Sequence, residues 1–293
     1  MKPVALVTGA SGLIGSYLLR TAARWAPAWT AEGITRARCD LTDHSAVSSA
    51  IQQYKPQLII HCAAMSRTKD CERNPQGAAR INVDATRTLA EMAAHIPFVF
   101  VSSGDVFDGS AAWYDESAEP NPINVYGRTK LEAERVVLQN SAHSVVRIVL
   151  TAGTSTSGDR SFVEDMSRAA KAGRDVALFA DEFRCPLPAG VIARALWELA
   201  AQAKPGLYHL GGSERLSRWQ IGEALLPWYP ELRGRLVKGS ARSAAGAPRP
   251  IDLSLVCGKI QRLLSFPLPG LRSWLSERTG RGADLWDYEA HGH

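Results

Sequence analysis

The stretch Val4-Ala-Leu-Val-Thr-Gly9-Ala-Ser11-Gly12-Leu-Ile-Gly15-Ser-Tyr-Leu-Leu19 decides how this chain folds. The uninterrupted apolar run from Val4 to Val7 reads as a buried parallel strand. Three evenly spaced glycines follow, and then Leu13, Ile14, Tyr17 and Leu18 recur at helical spacing. Strand, glycine turn and helix, in that order, form the setting in which such glycines bind phosphate. Gly9 permits a sharp turn, and Gly12 keeps a side chain out of the path of a pyrophosphate. Gly15 lets the helix lie close to its strand, and the first helical turn offers free amides at the positive end of the helix dipole. The spacing is GxxGxxG, which predicts a dinucleotide fold with a looser turn and leaves the reaction chemistry to other residues.

Working outward, residues 29–35 read as a second strand and 45–54 as a helix. Leu58-Ile-Ile-His61-Cys-Ala63-Ala64 is a third strand ending in small residues, which leave room for a flat ring or a pyrophosphate. One helix is expected from Asn74-Pro75 through Asn82 to His95. A fourth strand, Phe98 to Val101, closes in Ser102-Ser103-Gly104-Asp105, and a helix over 125–139 leads to a fifth strand, Ser144 to Leu150. This alternation predicts an α/β architecture, a Rossmann-type doubly wound parallel sheet over residues 1–150. A smaller, interleaved C-terminal substrate-side domain follows over 151–293, with 187–210 returning to the first domain. Residues 113–122 read as a flexible rim, 239–250 as a loop with little order of its own, and the end of the chain as a frayed tail.

Composition narrows the function classes. With 293 residues, 45% of them hydrophobic, the chain buries a full core, and its net charge of +5 is spread without a basic run, so no nucleic-acid arm is expected. Five scattered cysteines without a CxxC pair suit a reducing compartment, and no His, Cys and acid cluster has metal-ligand spacing, so no metal is expected. Met1-Lys2-Pro3 leads straight into the first strand, and no apolar run approaches a membrane span. A cytoplasmic protein with no membrane partner is the expectation. The helix 189–202 reads as exposed, a face for pairing in a homodimer or for solvent.

Two groups of residues carry the chemistry. Arg36, helped by Arg38, stands after the second strand, where a dinucleotide fold meets the adenosine ribose; arginine pairs a 2′-phosphate bidentately, which favours NADP over NAD. Asp40 and Leu41 flank the adenine edge in this reading, while Asp43 reads equally as the cap of the following helix. Tyr126 and Lys130 lie one helical turn apart on one face, after the Ser103 end of the fourth strand. An ammonium near a phenol lowers its proton affinity toward neutral pH, so Tyr126 serves to protonate a carbonyl oxygen as hydride arrives. Ser103 hydrogen-bonds the same oxygen, and Lys130 also reaches the nicotinamide ribose.

Thr8-Gly9-Ala-Ser-Gly12-Leu-Ile-Gly15, Ser103 and Tyr126-Gly-Arg-Thr-Lys130 together resemble the extended short-chain dehydrogenases/reductases. Val101-Ser-Ser-Gly-Asp-Val-Phe-Asp-Gly109, Glu119-Pro-Asn-Pro-Ile-Asn-Val-Tyr-Gly127, Gly206-Leu-Tyr-His-Leu210 and Arg249-Pro-Ile-Asp-Leu-Ser-Leu255 are similar to the dTDP-4-dehydrorhamnose reductase branch, which also holds the regulatory β subunit of methionine adenosyltransferase. The resemblance implies that Gly9, Ser11, Gly12, Leu13, Ile14 and Gly15 hold a pyrophosphate, and Arg36 and Arg38 a 2′-phosphate. It places Asp40, Leu41, Ala63, Ala64 and Met65 on the adenosine side, and Tyr126 and Lys130 at the nicotinamide ribose. Two departures fall on the substrate side. Ser102-Ser103-Gly104-Asp105 replaces the usual Ser-Thr-Asp-Tyr, and Leu150 stands where the reductases tend to carry a tryptophan.

The expected activity is therefore that of an NAD(P)-dependent oxidoreductase, an NADPH-dependent reductase of a keto group on a nucleotide-linked sugar. The alternatives are a non-catalytic NADP-binding regulatory subunit and a nucleotide-sugar epimerase. A dehydratase is disfavoured, because Ser102-Ser103-Gly104 lacks the Asp-Glu pair typical of such enzymes.

Overall fold

A computed structural model describes residues 2–244, 246, 248–278 and 285–288. Strand β1 (Val4–Thr8) is followed by α1 (Leu13–Trp25), β2 (Thr30–Ile34), α2 (His44–Tyr54) and β3 (Leu58–His61). The segment expected to be one helix is divided into α3 (Thr68–Arg73), α4 (Pro75–Ala79), a π-helical turn (Arg80–Asp84) and α5 (Ala85–Met92). Asn74 ends the first piece and caps the second by accepting from the Gly77 amide, with Pro75 at a helix start, where its missing amide costs nothing.

Then come β4 (Phe98–Ser103), α6 (Val125–Val137), β5 (His143–Ile148) and β6 (Thr151–Ala152). The C-terminal half contributes α7 (Phe162–Lys171), β7 (Val176–Phe179), β8 (Phe183–Arg184), β9 (Leu187–Pro188) and α8 (Ala189–Gln202). It ends with β10 (Gly206–Leu210), β11 (Leu216–Ser217), α9 (Arg218–Leu225), β12 (Leu236–Gly239), α10 (Gly258–Gln261) and α11 (Leu271–Ser276). The tail expectation falls on 279–284 and 289–293, which lie outside the described residues, as do 245 and 247 of the 239–250 segment.

Six strands form one sheet in the order β10-β5-β4-β3-β1-β2, every pairing parallel. Alternate residues serve opposite faces. Ala5, Val7, Leu58, Ile60, Val99 and Val101 pack with Tyr17 and Leu18 of α1 and with α8, whereas Leu6, Ile59, Phe98, Phe100 and Val145 pack with α2, α5 and α6. Both faces are covered, which is why these strands read as continuous apolar runs. The chain leaves β1 toward β2 and then returns to β3 on the other side, so the strand ends beside β1 form the switch point where such sheets bind ligands.

Two expectations are corrected here. Helix α8 is not exposed: nine of its residues are buried, and Trp197 donates its indole N–H to the Leu18 carbonyl at 3.1 Å, pinning it to α1. The rim over 113–122 is tied down rather than loose. Trp113 and Tyr114 donate their amides to the Ser254 hydroxyl and carbonyl, at 2.7 and 2.9 Å, and Phe107 stacks on Tyr114 with ring centroids 4.2 Å apart.

Candidate active site

The glycine turn has no room for side chains. Gly9 has φ of 67°, and a Cβ there would lie 2.7 Å from the Ala63 amide nitrogen; a Cβ on Gly15 would lie 2.3 Å from the Gly9 carbonyl oxygen. Strand β3, the turn and α1 are therefore in backbone contact. Helix α1 begins at Gly12 without a side-chain cap and without an acid in its first turn, so its positive end is left for an anion. Ser11 is exposed beside it, and Leu13 and Ile14 are half-buried.

Beyond β2, the Thr35 carbonyl accepts from the amides of Arg38 and Cys39, both at 3.0 Å, and this tight turn leaves Arg36 and Arg38 exposed. Asp40 accepts from the amide and hydroxyl of Thr42, and these bonds, followed by the charges of Arg36 and Arg80, hold its carboxyl below the usual range. Arg80 donates to the Thr42 hydroxyl at 2.9 Å. It thus joins Arg36 around one acid, a partnership between β2 and the π turn that no local pattern announces. Leu41 packs half-buried on the α2 side of the sheet, and Asp43 caps α2 through the Ser45 and Ala46 amides.

The end of β3 is held from beneath. His61 is buried, with Nδ1 2.6 Å from the Thr8 hydroxyl and Nε2 2.9 Å from the Thr86 hydroxyl; burial pushes it down to about 3, so it stays neutral and acts as a pin. Asn82 accepts from the Met65 amide at 2.8 Å, and its Nδ2 donates to the Met65 carbonyl and the Thr129 hydroxyl. This side chain, placed by the π turn, locks Ala63-Ala64-Met65 against α6. Sequence reading saw Asn82 only as a passenger on a helix.

Helix α6 is capped by Asn124, whose Oδ1 accepts from the Gly127 amide at 2.7 Å. A Cβ on Gly127 would lie 2.0 Å from the Asp105 carbonyl oxygen, so the helix start rests directly on the turn that leaves β4. That contact sets the first turn of α6, with Tyr126, against the turn that carries Asp105. Ser103 donates its hydroxyl to Asp105 Oδ2 at 2.9 Å and accepts from the Asp105 amide at 3.1 Å. Asp105 was read from the sequence only as part of a departure from the reductase pattern. With Gly104 allowing the turn, the carboxylate folds back onto Ser103.

Lys130 is 2% exposed, donates to the Val101 carbonyl at 2.8 Å and sits 3.8 Å above the Phe100 ring centre. Burial pushes it down to about 7, against the pull of Glu134 one turn on. The expected ammonium effect on the phenol is therefore corrected. Lys130 faces β4, and Tyr126 is pushed above its ordinary range by burial and then by the Asp105 charge, with the Ser103 hydrogen bond opposing.

Behind Lys130 lies a buried ion pair. Arg147 Nη2 is 2.7 Å from Glu134 Oε2, with side chains 3% and 1% exposed; Ser102 donates to Glu134 at 2.5 Å, and Arg147 Nη1 lies 3.4 Å from His209 Nε2. Leu150 is half-buried against the core. Among the described residues no cluster of three or more His, Cys, Asp or Glu could hold a metal, and no helix is long and apolar enough to cross a membrane.

A parallel sheet with a glycine cradle at its switch point, and with tyrosine, lysine and serine at the neighbouring strand end, defines a Rossmann-type protein of the short-chain dehydrogenase/reductase class. The chain belongs to the family described as RmlD substrate binding domain, which matches residues 1–281. It is 32% identical to a dTDP-4-dehydrorhamnose reductase from Sinorhizobium fredii, over 90% of this chain and 92% of that protein. It is also 30% identical to methionine adenosyltransferase 2 subunit beta from Xenopus laevis, over 97% of this chain and 87% of the relative. Among solved structures, a dTDP-4-dehydrorhamnose reductase from Bacillus anthracis in complex with NADP superposes with a TM-score of 0.85 at 24% identity, covering 93% of this chain and 97% of that one. At that identity the likeness is one of fold.

Proposed function

We propose that this chain is an NADPH-dependent reductase of a keto group on a nucleotide-linked sugar, with a 4-keto sugar of the kind named for its reductase relatives as the first candidate. The observation that carries the reading is a glycine turn without room for side chains at the switch point of the sheet, with Ser103 ending β4 and the first turns of α6, which hold Tyr126 and Lys130, resting on the turn that follows it. NADPH, when bound, supplies hydride to the carbonyl carbon. Gly9, Ser11, Gly12, Leu13, Ile14 and Gly15 would hold its pyrophosphate, and Asp40, Leu41, Ala63, Ala64 and Met65 would border the adenosine. Tyr126 gives its proton to the carbonyl oxygen, Ser103 orients that oxygen, and Lys130 holds the ribose end once it leaves the Val101 carbonyl.

Arg36, Arg38 and Arg80 form the cationic edge that favours a 2′-phosphate over a ribose hydroxyl. Arg36→Ala is expected to weaken NADPH binding about ten-fold or more, the scale of one lost charge-assisted contact, and to leave NADH binding nearly unchanged. Fluorescence titration with both nucleotides checks this, and equal losses would defeat the NADP assignment.

A second prediction concerns closure. The loop after β6 is attached to α1 on one side, where the Thr154 amide donates to the Tyr17 hydroxyl at 3.2 Å. On the other side Arg67 donates to the Asp159 carbonyl, with the Asp159 carboxylate 3.7 Å and the Asp165 carboxylate 4.0 Å from its guanidinium. This strap ties α1 to the segment after β3. Arg67→Ala is expected to speed NADPH release about two- to five-fold, a difference that shrinks in high salt, as exposed ion pairs do. Stopped-flow displacement measures it, and identical release rates would show the strap to be irrelevant.

The 30% identity to a methionine adenosyltransferase β subunit favours one other reading, a cofactor-bound regulatory subunit without turnover. Capture of a methionine adenosyltransferase catalytic subunit, with no NADPH consumed across a panel of 4-keto sugar nucleotides, would select it.

A further inference from the structure

The segment that follows Ser103 leads to a cavity. Residues 104–109 run alongside 250–253: a Cβ on Gly104 would lie 3.8 Å from Leu253 Cβ, and one on Gly109 would lie 2.6 Å from the Ile251 amide nitrogen. The Asp252 amide donates to the Gly109 carbonyl at 3.3 Å. At the Gly109 end, a cavity of about 520 Å³ lies between these two segments, Phe183 of β8, Arg215 and Arg242. That volume falls within the range of small-molecule sites.

The walls are of two kinds. Ala111, Ala112, Phe183 and Ile251 present apolar surface, and the two arginines present charge. Arg215 Cζ sits 3.6 Å above the Phe183 ring centre, and its Nε and Nη2 both reach Asp252 Oδ2, at 2.7 and 2.6 Å. A guanidinium has five N–H donors, so the Nη1 edge of Arg215 is left over. Among the described residues the Arg242 guanidinium has no hydrogen bond, ion pair or ring contact. The turn that bears it, Ala241–Ser243, is nevertheless fixed, because Asp181 accepts from the Ser240 hydroxyl at 2.5 Å and the Ala241 amide at 2.6 Å. Acids on the surrounding segments are already engaged. Asp108 accepts from Ser110, Tyr114 and Asn121, and Glu182 pairs with Arg184 at 3.1 Å and Arg249 at 3.6 Å. The other oxygen of Asp252 accepts from the Ser254 amide at 2.9 Å.

We propose that this cavity is the nucleotide end of the substrate site, with Arg242 and the free edge of Arg215 on a diphosphate and the apolar wall against the base. Guanidinium forks match phosphate oxygens, and the unpartnered Arg242 has no competing acid to leave. A flat base covers the apolar wall, which inorganic phosphate would leave in water. The assignment rests on the reductase reading given above, which supplies the sugar that the nucleotide carries; binding of the nucleotide itself needs no turnover.

The test is calorimetric titration of the full chain with dTDP, in saturating NADP so that the glycine cradle is filled. Wild-type protein should bind dTDP, and inorganic phosphate should displace it only at far higher concentration. Arg242→Ala is expected to weaken dTDP about ten-fold or more, the scale of one charge-assisted contact. Ala112→Trp, which adds bulk to the wall and alters no charge, should weaken it comparably, and neither variant should change NADP affinity. KM for a 4-keto dTDP sugar should rise in both. No dTDP binding by the wild type, binding that neither variant weakens, or phosphate that competes as well as dTDP overturns the site and leaves the reductase reading standing. Binding of dTDP that both variants weaken, in a protein that reduces no sugar nucleotide of the panel, supports a nucleotide site here and overturns the reductase reading.

Discussion

Tyr126→Phe lowers kcat for carbonyl reduction by about 10²- to 10⁴-fold, the range associated with losing a positioned general acid. The phenylalanine ring keeps the packing that Tyr126 makes with the buried Cys71, Ala78 and Val125 cluster, so what disappears is the O–H alone. NADPH affinity should stay within about two-fold, because the glycine turn and the Arg36 edge are untouched. Steady-state NADPH oxidation separates the two quantities: kcat falls and the fluorescence-detected Kd does not. A variant that keeps more than about a tenth of the activity would move the proton donor elsewhere in the cleft.

The second large effect is on stability. Glu134→Ala strands the Arg147 guanidinium in a site where that side chain is 3% exposed, and removes the acceptor of the Ser102 hydroxyl. Breaking a buried pair from one side costs about 3–5 kcal/mol, because the desolvated partner loses its compensation. Replacing both partners by apolar residues of similar volume, Glu134→Leu with Arg147→Met, should recover much of that loss. Urea unfolding at fixed pH measures both. A single-variant loss below about 1 kcal/mol would place the pair in contact with water.

How much of this was legible in the chain depends on the range of the interaction involved. The strand, glycine turn and helix from Val4 to Leu19 are specified by neighbours in sequence, and the apolar runs of β3 and β4 announce strands buried on both faces. The Tyr126 and Lys130 pair was readable from helical spacing. What their charges do was not, because Lys130 is held by a carbonyl of β4 and Tyr126 answers to Asp105. Arg80 reaches Thr42 across 38 residues, and Asn82 reaches Met65 across 17, both from a π turn that periodicity cannot distinguish from an ordinary helix. Helix α8 reads as exposed in the sequence analysis, although its Ala-rich sequence is apolar nearly all round. Such a helix is stable only when enclosed, as α8 is between α1 and the β9–β10 region.

The central claim is that hydride passes to a carbonyl carbon in a cleft where Tyr126 supplies the proton. The most direct measurement uses NADPH deuterated at nicotinamide C4 and a 4-keto sugar nucleotide, followed by mass spectrometry of the product. The account predicts one deuterium on the product carbon with wild-type protein and almost none formed with Tyr126→Phe. An unlabelled product, or equal labelling by both proteins, would contradict it.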